Sequence, residues 1–330
     1  MNFDIDDEQR NFADHARTFF SDQAGPEHAR ALLDGEVSGP APGRELLDEL
    51  GFSSLTIPEE AGGVGAELLN MALVAEQAGR QLAAPSLATA ARATVLLEGH
   101  DELLGKVASG EIAVAVLDGP LEESRPSLDV RTATHFLALD GDDALVLGTG
   151  TVLDAEEIDP TRGIGRVRLT SHEVAATGMA ERWERASQVA CVIIAAESLG
   201  AAERVVELSL EHAKQRETFG RVIGSYQSVK HALVDNWVGV NQLRSLVWWA
   251  AWAADHAPDQ LPVAASAAKA YAASTFEVAC ETLIHTLGAI GFTWEHDAHL
   301  YWRRAKVDRL LLGSESDHLI RVAEASLLSA

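Results

Sequence analysis

From the N-terminus to about residue 110, apolar side chains recur every three or four positions, as in LLNMALVAEQAGRQL. That is the period of helices that bury one face. The stretch LTIPEEAGGVGAE breaks it once, where Pro58 and the Gly62-Gly63 pair force a loop. Between 111 and 175 the pattern shortens. IAVAVLD, THFLALD, DALVLGTGTVL and RVRL are brief β-prone runs separated by Gly, Asp and Pro. From 180 to 330 the helical period returns in much longer runs. The first contains ERASQVACVIIAAESLGAAERVVELSLEHAKQRETF, the second VKHALVDNWVGVNQLRSLVWWAAWAADHA, and the third LPVAASAAKAYAASTFEVACETLIHTLGAI. The last ends in RVAEASLLSA. The pattern predicts a mainly α protein with three parts: an all-α domain over 1–110, a reduced β-domain over 111–175, and a C-terminal antiparallel four-helix bundle over 180–330. Trp248, Trp249 and Trp252 lie together on the second long helix and read as core or interface packing. The alanine-rich AASAAKAYAAS allows close helix approach and suggests burial against another subunit.

Composition narrows the possible partners. Across 330 residues, 47% are apolar and the formal charge is −24. Such a surface repels phosphates and carries no basic stripe, which excludes nucleic acid as a partner. A polyanionic ligand is admissible only where local arginines override the field. Cys191 and Cys280 lack metal-ligand spacing and read as buried, inert thiols. The acidic start MNFDIDDEQR has no signal-peptide pattern, and runs such as VACVIIAA are too short to cross a bilayer. No membrane association and a cytoplasmic location are therefore expected.

Three motifs carry more information. ELGFSSLTIPEEAGGVG at 49–65 precedes a helix holding Glu76. QRETFGRVIGSYQ closes the first long helix, and HTLGAIGFTWEHDAHLYWRRAKV occupies 285–307. In this order they resemble the acyl-CoA dehydrogenase family, whose fold is a helical N-terminal domain, a central β-domain and a four-helix bundle. The resemblance implies a FAD shared across a subunit interface, with the ring on one subunit's β-domain and the ADP half on the neighbour's bundle. It assigns Arg216 to the pyrophosphate as a charge-assisted donor, Thr218 to a further hydrogen bond, Phe219 to an apolar wall and Gln227 to amide contacts. His285 and the Gly288-Ala289 turn stand where the family brings main chain to the phosphates, with His in place of the usual Gln and Ala in place of Gly.

The family also needs a carboxylate to take the α-proton of an acyl-CoA thioester while the β-hydride leaves for the flavin. Most members place a glutamate just before a Gly-Ser/Thr pair. In RRAKVDRLLLGSESDH that slot is Leu312, followed by Gly313 and Ser314. A minority place it early on the first bundle helix, a slot that falls on Ala190, with Cys191 where an arginine usually follows. Both are apolar. Glu315 is the remaining substitute. It and Asp308 are expected to be solvated surface charges, and Glu197 to lie too far along its helix. AVLDGPLEESRPSLDV, in turn, lacks the family's flavin-ring loop.

The expectation is a base-deficient subunit similar to one of the pair in actinobacterial heteromeric (α2β2) enzymes that desaturate steroid side-chain CoA esters. IDPTRGIGRVRL and GFTWEHDAHLYWRRA share the look of that branch. The sister subunit would supply base, ring pocket and most of the acyl-CoA site, and an electron-transfer flavoprotein-like acceptor would take the electrons. The alternatives are a self-sufficient homo-oligomer using Glu315, and a flavin-free scaffold of the same fold.

Overall fold

The computed structural model describes residues 5–39, 41–153 and 158–328. The first part folds as α1 (Asp7–Gln23), α2 (Pro26–Leu33), α3 (Arg44–Glu49), α4 (Leu68–Arg80), α5 (Leu87–Leu96) and α6 (Asp101–Ala108). A reciprocal cap starts α1: Gln9 N donates to the Asp6 side chain, and Asp6 N donates to the Gln9 side chain. Helix α4 is apolar over most of its circumference, because it is covered by α1 on one side and by bundle helices on the other.

Each β-prone run carries a strand: β1 (Val114–Leu117), β2 (His135–Asp140), β3 (Ala144–Leu153) and β4 (Arg166–Ala176). They pair in chain order, β1 and β2 parallel and the rest antiparallel. The segment after β1 runs back along the free edge of β4. Leu169 N donates to Leu121 O at 3.1 Å, Ser124 N to Val167 O at 2.9 Å, and Ser127 N to Gly165 O at 2.9 Å. This covers the edge and closes the sheet around Leu117, Val130, Phe136, Val146 and Val167.

The bundle comprises α7 (Ala180–Gln215), α8 (Gln227–His256), α9 (Leu261–Leu287), α10 (Ala298–Asp308) and α11 (Glu315–Leu328). The last helical run is thus two helices rather than one. The break comes at Leu312 and Gly313, at φ 58° and 113°, values incompatible with a continuing right-handed helix. Ser314 and Asp317 then cap α11 reciprocally. The N-terminal part docks where α4 crosses α7 at Gly79 and Gly200. A Cβ on Gly79 would lie 1.9 Å from Glu197 O, and one on Gly200 would lie 1.7 Å from Glu76 O. Only two glycines allow backbones to come this close. Trp248, Trp249 and Trp252 are half-buried against the bundle core.

Candidate active site and flavin contacts

A cavity of 840 Å³ opens between α5, the end of β1, α7 and the α10–α11 connection. Ala190 from α7 and Leu312 from the connection both line it, with Cys191 beside them. Two positions far apart in sequence, each read as an empty base slot, therefore face one space. Its carboxylates are all engaged. Asp118 takes both arms of the Arg92 guanidinium at 2.9 and 2.7 Å. Asp159 holds Arg304 at 2.6 Å, and Asp317 accepts from Ser314 N and Oγ. Glu184 lies 3.6 Å from Arg321. Burial pushes the Cys191 thiol up to about 11, which keeps it protonated and inert, as its apolar setting implies. Glu315 is not on the cavity wall. It pairs with Arg309 at 2.8 Å, and Arg309 also contacts Glu277.

Asp308 corrects the sequence reading. It is 3% exposed rather than solvated, because it is one pole of a buried ionic cluster that joins all three parts of the chain. Arg162 reaches Asp308 Oδ1 and Oδ2 at 2.8 and 2.7 Å and Glu197 Oε2 at 2.5 Å. Glu197 also accepts from Ser86 Oγ and Leu87 N at the start of α5. Lys269 Nζ donates to Asp308 O, and Arg304 donates to Thr161 Oγ1 and Leu82 O. Asp129 accepts from Ser86 N and Thr89 Oγ1, and burial pushes its carboxyl up to about 6. A charge that is paired and hydrogen-bonded on every side is a structural tie, not an available base.

The proposed flavin contacts lie elsewhere, on the outer end of the bundle. Arg216 ends α7, and β5 (Glu217–Thr218) and β6 (Arg221–Val222) form a hairpin whose two-residue turn is Phe219-Gly220. Both turn residues have positive φ, 51° and 78°, as a hairpin of primed type demands. Phe219 is 94% exposed. Tyr226 braces the hairpin by donating its hydroxyl to Thr218 O at 3.0 Å and stacking under Arg221 at 3.9 Å. Among the described residues the Arg216 guanidinium makes no hydrogen bond or ion pair. Gln227 opens α8 and lies 3.4 Å from His231 Nε2. His285, Gly288 and Ala289 are exposed at the end of α9, where Gly288 turns at φ 66° with nothing within 4 Å of a Cβ. No hydrogen bond among the described residues links this turn to the hairpin.

These features fit an anionic group bound from outside: an unpaired cation, a free Thr218 hydroxyl and an open turn. In the β-domain, the loop after β1 spends main-chain groups on the β4 edge. Among the described residues no helix is long and apolar enough to cross a membrane, and no His/Cys/Asp/Glu group could hold a metal ion.

Layered as helices, closed sheet and bundle, with a cavity at their junction, the chain has the architecture of an acyl-CoA dehydrogenase. Known sequences agree: residues 6–111 match the acyl-CoA dehydrogenase N-terminal domain and residues 184–327 the C-terminal domain. The chain belongs to the acyl-CoA dehydrogenase family, whose members are FAD-dependent oxidoreductases. It is 33% identical to acyl-CoA dehydrogenase IpdE2 of Mycolicibacterium smegmatis over 91% of this chain and 92% of that protein. It is 32% identical to IpdE2 of Mycobacterium tuberculosis over 96% of each. A chain of the solved ChsE4-ChsE5 complex from Mycobacterium tuberculosis shares the fold at a TM-score of 0.85, 24% identity and 98% coverage of both.

Proposed function

We propose that this chain is the non-catalytic subunit of a heteromeric, FAD-dependent acyl-CoA dehydrogenase. A homologous sister supplies the base and the flavin-ring pocket, in an α2β2 assembly. The observation that carries this reading is the convergence of Ala190 and Leu312 on one cavity in which every carboxylate is already engaged. Loss of a positioned general base costs about 10²- to 10⁴-fold in rate. When bound, the flavin supplies the acceptor for the substrate's β-hydride.

This chain's part lies at the other end of the cofactor. Arg216 pairs with pyrophosphate oxygens, the Thr218 hydroxyl adds a donor, and the Gln227 amide adds a polar contact. Phe219 covers an apolar side, while His285 and the 288–289 turn leave room for main chain beside phosphate. Phe219 takes the positive φ its hairpin turn requires and stands fully in solvent, open to a ligand or partner. Resemblance to the ChsE4-ChsE5 complex supports a paired assembly, and a steroid side-chain CoA ester held mainly by the sister is the proposed substrate. A cytoplasmic electron-transfer flavoprotein-like carrier would reoxidise the flavin.

The test is co-expression with the sister subunit, with and without Arg216→Ala. One charged hydrogen bond contributes about 1.5–3 kcal/mol, so FAD affinity of the complex should fall about 10- to 100-fold. Unchanged flavin affinity in the variant complex would count against the assignment. So would a yellow, active preparation of this chain alone.

A further inference from the structure

No hydrogen bond joins the hairpin after α7 to the segment after α9, yet the two meet electrostatically at a pair of histidines. His212 stands one helical turn before Arg216, and its carbonyl accepts Arg216 N at 2.9 Å. Residues four apart share one face of a helix, so the imidazole and the guanidinium are neighbours. His296 lies between α9 and α10, within electrostatic reach of His212. Its Nδ1 accepts Ala298 N at 3.1 Å, which leaves Nε2 to carry the proton of the neutral ring. Both histidines are half-buried, and the His212 imidazole makes no hydrogen bond among the described residues.

The charges around the pair keep it neutral. His212 faces Arg216 and His296. His296 faces Asp297, His212 and Arg30. The one carboxylate among these groups is engaged, since Arg30 donates to Asp297 Oδ1 at 2.6 Å and also to Trp294 O. Burial, and after it Arg216, holds His212 below the ordinary histidine range. Burial holds His296 there too, against the pull of Asp297 and with the push of His212 and Arg30. A pyrophosphate beside Arg216 would reverse this balance, because two negative charges favour the protonated imidazole.

We propose that His212 and His296 make cofactor binding at this end of the bundle proton-linked. As the pyrophosphate docks, the pair takes one proton from solvent and becomes a second cationic contact beside Arg216. Two neighbouring imidazolium ions repel each other, so the pair shares about one proton rather than taking two. In a chain of net charge −24, that proton strengthens the local field that an anion needs. The proposal rests on the assignment of the hairpin to the pyrophosphate given above.

The complex with the sister, stripped of flavin, is titrated with FAD by calorimetry at pH 6, 7 and 8. Two buffers of different ionisation enthalpy are used at each pH, so that the difference in heat counts protons. The pyrophosphate diester stays ionised across this range, and any proton taken up therefore lands on protein. Uptake of about half to one proton per FAD is expected at pH 7, with affinity about tenfold higher at pH 6 than at pH 8. With His212→Gln and His296→Gln together, FAD should still bind through Arg216, but uptake should fall by at least about half and the pH dependence should flatten. No uptake by the wild-type complex would overturn the proposal without any variant, as would uptake unchanged in the double variant. Arg216→Ala separates the two readings. Weaker FAD binding in that variant, with no proton uptake by wild type, leaves the pyrophosphate assignment standing and removes the proton linkage. Binding and uptake altered by none of the three substitutions would remove both.

Discussion

Arg162→Met probes what holds the three parts of the chain together. The guanidinium is 1% exposed, bridges Asp308 and Glu197, and so ties the loop before β4 to α7 and α10. Methionine fills much of the volume but strands two carboxylates, each 3% exposed. Breaking a buried pair by removing one partner costs about 3–5 kcal/mol, and two stranded acids argue for the upper end. For a chain of this size that corresponds to a melting temperature lower by about 8 °C near pH 8. The pH dependence discriminates. A stranded buried acid has a folded pKa above its unfolded value, so the native variant binds protons and gains stability as pH falls. The gap to wild type should therefore narrow between pH 8 and 5.5. Adding Asp308→Asn should recover part of the loss, since a neutral partner is cheaper to bury. Thermal unfolding followed by near-UV circular dichroism reads all three proteins. A variant within about 2 °C of wild type at pH 8, or an equal loss at both pH values, would refute the role assigned to this cluster.

Gly200→Ala puts a methyl 1.7 Å from Glu76 O at the α4–α7 crossing, so two helix backbones must separate. We expect a loss of about 3 kcal/mol or failure to accumulate folded protein, and a melting temperature equal to wild type would contradict the close crossing. His318 is 1% exposed, and burial lowers its pKa to about 4 from the ordinary 6.5. Its proton prefers the unfolded chain, so stability is full above pH 6.5 and declines by about 2–3 kcal/mol as pH falls to 4. His318→Gln should flatten that part of the curve, and identical curves for the two proteins would contradict the assignment.

Much of the architecture is legible because local rules govern it. The helical period and the four short β-prone runs follow from patterning and turn chemistry. Even the two empty base slots, located by counting along motifs, fall on the same cavity. What the sequence conceals is burial of charge. Asp308 and Glu197 look like ordinary helix acids, and nothing local distinguishes them from solvated ones. Their partner Arg162 is 146 residues from one and 35 from the other. The one available signal is IDPTRG, where Asp159 caps and Pro160 opens a short turn that aims Arg162 inward. The split between α10 and α11 was equally hidden, since Leu312 takes a left-handed conformation that leucine rarely adopts.

Where the flavin sits decides this chain's role, and counting flavin against polypeptide in the purified native complex tests it most directly. Absorbance of released FAD, with each subunit quantified by mass spectrometry, should give about one flavin for every two chains, all of it lost when the sister is removed. A full complement of one flavin per chain, or a loaded and active assembly of this chain alone, would contradict it.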